Sequence, residues 1–128
     1  MLKALVSAGS YTSGNVPLTL NQNTNGKYQL NADSSIDVRV GGLTAIRGNV
    51  VVTSIAAGNI TLQLYADGVA VPGALDTKTL ANGSTYTFHI DDIVRAVNQI
   101  TPSYATLSLQ LSGACTLVGG DVVVTYEK

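Results

Sequence analysis

Apolar and polar residues alternate along this chain in short runs punctuated by glycine, asparagine and proline. The clearest run sets Leu107, Leu109 and Leu111 against Thr106, Ser108, Gln110 and Ser112. A period of two sends each set to its own face of a strand. Ile60, Leu62 and Leu64 against Thr61, Gln63 and Tyr65 repeat the pattern, as do Tyr86, Phe88 and Ile90 against Thr85, Thr87 and His89. Residues 50–73 organise the rest: Val50 to Thr53, a small-residue break at Ala56-Ala57-Gly58, then a hairpin turning at Asp67-Gly68. That dipeptide suits a type I′ turn, in which both central residues take positive φ. The pattern predicts an antiparallel β core.

Residues 3–7 predict a first strand and 9–15 a loop. Residues 16–20 alternate again, but Pro17 cannot donate to a ladder and belongs at an edge or a strand start. Residues 21–27 read as an amide-rich surface loop with a turn at Asn25-Gly26. Residues 36–40 form an amphipathic strand stopped by Gly41-Gly42; Asp37 and Arg39 share its face, where an exposed pair is worth roughly 0–1 kcal/mol. Residues 43–46 and Gly48 lead into Val50. Residues 74–79 read as a polar connection or a short edge strand, and Asn82-Gly83 as a turn. Residues 91–99 fit two forms equally: a helical turn capped by Asp91 or Asp92, with Ile93, Val94 and Val97 on one face, or an irregular continuation of the strand. Pro102 breaks the pattern. After Gly113, residues 115–118 pair back, Gly119-Gly120 turns, and residues 122–126 close the sheet. Short strands with regular turn residues and almost no helix predict an all-β antiparallel sandwich or jelly roll. At 128 residues it is most simply one domain, large enough for a core without disulfides or metals.

Composition changes the picture at the surface. Charged residues make up 12% of the chain, about half the usual share. Thr, Ser, Asn and Gln supply the polar positions instead, as suits a rigid assembly or a surface facing the outside. The net charge is −1, and Lys3, Lys27, Arg39, Arg47, Lys78, Arg95 and Lys128 are scattered, which argues against nucleic-acid binding. No apolar run approaches the ~20 residues of a membrane helix. Met1-Leu2-Lys3 opens no apolar h-region, which predicts synthesis in a cytoplasm without a signal peptide. Release by lysis would still carry the protein outside within a particle.

Candidate chemistry is sparse. Cys115 is the only cysteine and reads as a small buried thiol. His89 is the only histidine and lies on a polar face, so a catalytic pair would need Cys115 beside it. Asp91-Asp92 reads as a turn or cap rather than a calcium site. Glu127 is the only glutamate, so paired carboxylates would have to come from loop aspartates. Asn59-Ile60-Thr61 and Asn82-Gly83-Ser84 match the glycosylation pattern and read as turns. No catalytic, cofactor or metal residue is assigned, and a non-enzymatic protein is expected.

The second half resembles the trimeric jelly rolls of the complement-globular-head and tumour-necrosis-factor superfamily. It is most similar to compact bacterial and bacteriophage members, including the C-terminal domains of spore-surface collagen-like proteins. The carrying residues run from Gly58 to Gly73 and include the phrase Asp67-Gly68-Val69-Ala70-Val71-Pro72-Gly73. Tyr86 to Ile90 with Ile93-Val94-Arg95, then residues 105–113 and 115–128, resemble its late strands. The resemblance covers residues 43–128; the first forty carry no matching phrase and are expected to supply an arm plus outer strands that contact a carrier particle. It implies a homotrimer displayed on a particle surface. Val50-Val51-Val52 and Val122-Val123-Val124 fit that, since a sandwich buries one face of a strand and the second needs a partner subunit or covering loops. The function expected is a virion structural protein, a capsid decoration or fibre-head module of a bacteriophage that contacts a capsid or fibre protein. A module binding a host receptor or surface glycan through Tyr65 or Tyr104 is the alternative, and a small enzyme joining His89 to aspartates is third.

Overall fold

The computed structural model describes residues 1–24, 26–96 and 105–126. Among these residues there are eleven strands and no helix: β1 (Leu2–Val6), β2 (Gly9–Tyr11), β3 (Leu18–Asn23), β4 (Tyr28–Leu30), β5 (Ile36–Val38), β6 (Gly42–Thr53), β7 (Gly58–Ala66), β8 (Val69–Leu80), β9 (Thr85–Ala96), β10 (Ala105–Leu111) and β11 (Cys115–Tyr126). Sheet I runs β3-β1-β11-β6-β9, with β2 also on β11, and sheet II runs β4-β5-β10-β7-β8. Every pairing is antiparallel.

Alternation places the core between the sheets. Leu2, Ala4, Val50, Val52, Phe88, Val122 and Val124 from sheet I, and Leu62, Leu64 and Leu107 from sheet II, are fully buried. Each large apolar side chain so buried contributes roughly 1.5–3 kcal/mol. The hairpin at Asp67-Gly68 forms as expected, with φ of 52° and 80° at its two central residues. Its tip is tied to β10, because Asp67 N donates to Thr106 O at 2.8 Å and Thr106 N donates to Asp67 Oδ1 at 2.9 Å.

Several elements depart from expectation. Gly9–Tyr11 is a strand on β11, anchored by the buried Tyr11, whose hydroxyl accepts from Leu111 N at 3.1 Å and donates to Gly14 O. The amide-rich stretch begins inside β3, which is an edge strand directly after Pro17. The turn expected at Asn25-Gly26 involves Asn25, which lies outside the described residues. β5 stops at Val38, and β6 runs unbroken through Gly48. Residues 74–79 take the edge-strand alternative, but as the second half of the long β8, whose irregular middle is held by Gln63: its Nε2 lies 2.9–3.0 Å from the carbonyls of Leu64, Val71 and Ala74. Of the two forms left open for residues 91–99, residues 91–96 take the strand continuation as part of β9, so Asp91 and Asp92 cap nothing; Val97 to Gln99 and Pro102 lie outside the described residues.

Gly119-Gly120 is not a turn. Leu117 pairs with Val52 and Gly119 with Val51, so Val118 is an extra residue bulging from β11 opposite β6. The bulge corrects a phase change in the sequence. Cys115 and Leu117 face inward before it, Val122 and Val124 after it, and odd and even positions cannot share a face of one regular strand. Gly120 takes φ +130°, and a Cβ there would stand 2.0 Å from Asn49 O. Gly119 has nothing within 4 Å of the same position. Gly120→Ala is therefore expected to cost at least about 2 kcal/mol, whereas Gly119→Ala should stay within about 0.5 kcal/mol of the parent. Urea unfolding of both variants measures the contrast, and equal effects would discard the steric account.

Candidate interaction faces

The outer face of sheet I is built by the odd residues of β6 and their cross-strand partners. Its middle is a polar belt. Asp121, Asn49 and His89 lie in one row across β11, β6 and β9. Asn49 Nδ2 donates to Asp121 Oδ1 at 3.3 Å, and His89 Nδ1 lies 2.8 Å from Asn49 Oδ1. With the amide so assigned, Nδ1 carries the donated proton. The adjacent row holds Lys3, Val123, Arg47 and Asp91. Lys3 and Arg47 thus balance Asp91 and Asp121. Apolar residues flank the belt: Ala45 and Ile93 at one end, Val51 and Val118 at the other, Leu5 on β1. Leu5, Val118 and Ile93 are 41%, 51% and 53% exposed.

The outer face of sheet II is different in kind. Thr106, Ser108 and Gln110 on β10 stand beside Asp37 on β5 and Tyr65, Gln63 and Thr61 on β7. Here a groove of about 240 Å³ is lined by Thr61, Gln63, Tyr65, Gln110, Leu111 and Ser112. Gln110 and Gln63 are direct cross-strand partners, and Gln110 Nε2 donates to Asn15 Oδ1 at 3.1 Å. Asn15 reaches β10 because β5 pairs only as far as Leu107, leaving the strand's edge beyond it free for Asn15 and Val16.

No protein-family model matches the sequence, and no curated protein matches it. Solved structures do resemble it in three dimensions. Murine APRIL at pH 5.0 superposes with a TM-score of 0.70 at 8% identity, covering 97% of this chain and 98% of that one. Eiger TNF from S. frugiperda gives 0.61 at 10% identity, covering 98% and 94%. Murine APRIL at pH 8.5 gives 0.62 at 9%, covering 94% and 97%. The fold is a TNF-like jelly roll.

On this TNF-like frame the candidate residues scatter. Cys115 is buried and faces the core, whereas His89 faces outward from the same sheet, so the two form no pair. Asp91 and Asp92 leave β9 on opposite faces, and among the described residues no three His, Cys, Asp or Glu side chains converge. Asp37 accepts from Asn31 Nδ2 and Thr106 Oγ1 rather than from Arg39; the ion pair found among the described residues is Lys78–Asp76, at 3.8 Å. Asn59 is in β7 and not in a turn, its Oδ1 accepting from Thr79 Oγ1, while Asn82-Gly83 does turn between β8 and β9. Tyr65 is half-buried in the groove as its one aromatic residue; Tyr104 and Glu127 lie outside the described residues. Sequence reasoning missed the Asp121–Asn49–His89 row and the Gln63–Gln110 contact, since both rest on the register of strands far apart in the chain.

Burial raises the Cys115 thiol above 9.0 and the neighbouring Tyr11 hydroxyl above 10.0. A group whose folded value is raised stabilises fully below its unfolded value and loses that contribution as pH rises through the folded one. The urea midpoint should therefore hold up to about pH 9 and fall above it. Cys115→Ala should flatten the first part of that fall, and native Cys115 should resist alkylation at pH 8 until the chain is unfolded. Rapid native labelling would overturn the assignment.

Proposed function

We propose that this TNF-like jelly roll is a non-enzymatic homotrimeric module on the surface of a bacteriophage particle, made in the host cytoplasm. The observation that carries the self-association is the outer face of sheet I. Five apolar side chains flank a belt with two cations and two anions, so the belts of identical copies can meet without net repulsion. The half-buried Val51 and Val123 gain their second cover from a neighbouring subunit. The phrase around Asp67-Gly68 and the sparse charge support the particle surface. Attachment to the carrier is assigned to the first forty residues, through the exposed edge of β3. A deletion of residues 1–25 would also remove the buried Leu2 and Ala4, so substitutions at Thr19, Asn21 and Gln22 test attachment without emptying the core.

A second reading, a receptor- or glycan-binding surface module, is favoured by the neutral groove beside Tyr65. Light scattering over a dilution series should give a mass three times the 13.2 kDa of the chain. Val51→Asp, which buries an unpaired carboxylate at the contact, should yield a folded monomer. A monomeric parent would remove the trimer. Purified particles released by lysis should contain the chain in multiples of three copies, and its absence from them would remove the particle role.

A further inference from the structure

We propose that the groove on the outer face of sheet II binds one residue of a neutral saccharide. This rests on the second reading above, whose ligand class it names, and stands whether or not the chain trimerises. The argument begins with size: about 240 Å³ is below the roughly 300–1,000 Å³ of pockets that hold drug-sized ligands and leaves room for a single ring. It continues with charge. None of the six lining residues is ionisable at neutral pH, so an anionic or cationic ligand would lose hydration there without a counter-ion.

The hydrogen-bonding capacity left over narrows the ligand further. Gln63 Nε2 is committed to three carbonyls, which fixes the amide and leaves Oε1 as a positioned acceptor. Gln110 Nε2 donates to Asn15, leaving its own Oε1 on the facing strand. Ser112 Oγ accepts from Thr61 N at 2.9 Å and keeps its proton to donate. The Tyr65 hydroxyl makes no hydrogen bond among the described residues. Two carbonyl acceptors beside two hydroxyls complement a ligand that both donates and accepts, as sugar hydroxyls do. A carboxylate or phosphate would set acceptor against acceptor, and a purely apolar ligand would strand the amide oxygens. The half-buried Tyr65 ring supplies the flat apolar surface on which the C–H face of a pyranose packs. Because the amides are already held in place, binding orders few side chains.

The test is saturation-transfer NMR on the full chain with the methyl glycosides of glucose, galactose, mannose and N-acetylglucosamine, and with glucuronate as the charged counterpart. At least one neutral glycoside should receive saturation, and glucuronate should bind more weakly. Tyr65→Ala should weaken the bound glycoside at least about tenfold, Tyr65→Phe, which keeps the ring and loses one hydroxyl, should weaken it less, and Val51→Asp should leave it unchanged. Gln110→Ala, on the other strand, should also weaken it and serves if Tyr65→Ala fails to fold, as circular dichroism will tell. Silence from all four glycosides, binding that survives a folded Tyr65→Ala or Gln110→Ala, or glucuronate binding as tightly, would overturn the site. The mass measurement is unaffected by any of these results.

Discussion

The ladder of β11, β6 and β9 is the constraint on which everything else depends. β6 is paired along its whole length with β9 and nearly so with β11, from Thr53–Thr116 to Thr44–Tyr126. One register therefore decides both faces of sheet I. It puts Ile46, Val50 and Val52 into the core and Arg47, Asn49 and Val51 on the outside. A slip by one residue would exchange the two sets. The Val118 bulge makes a single register possible for a strand whose apolar phase changes partway along.

The two outer faces that result have unlike chemistry. Sheet I presents charges of both signs between apolar ends, which suits contact with a copy of itself. Sheet II presents amides, hydroxyls and one tyrosine, which suits a neutral polar ligand. Because the faces lie on opposite sides of the sandwich, occupation of one leaves the other open.

What could be read from sequence was what is local. Asp67-Gly68 specifies its turn through the φ values of two adjacent residues. The leucines of β10 and the Ile60–Leu64 alternation specify their faces through period two. The Gly119-Gly120 pair is equally suited to a turn and to a bulge; only the carbonyl of Asn49, on another strand, decides between them. The odd-to-even phase change between Leu117 and Val122 was the one signal pointing to the bulge. β2 is too short for periodicity, and it exists because β11 offers an edge there. Neither the Asp121–Asn49–His89 row nor the Gln63–Gln110 groove was visible, since each needs the register of strands distant in sequence.

The partnership of β6 with β11 also sets the order of events during synthesis. Val51 finds its neighbour Gly119 only after the whole of sheet II has been translated. Contacts of such sequence separation form slowly, and β6 meanwhile presents an unpaired edge rich in valine. The outer face of sheet I does not exist until β11 has docked. A nascent chain consequently lacks that finished face until translation has passed β11.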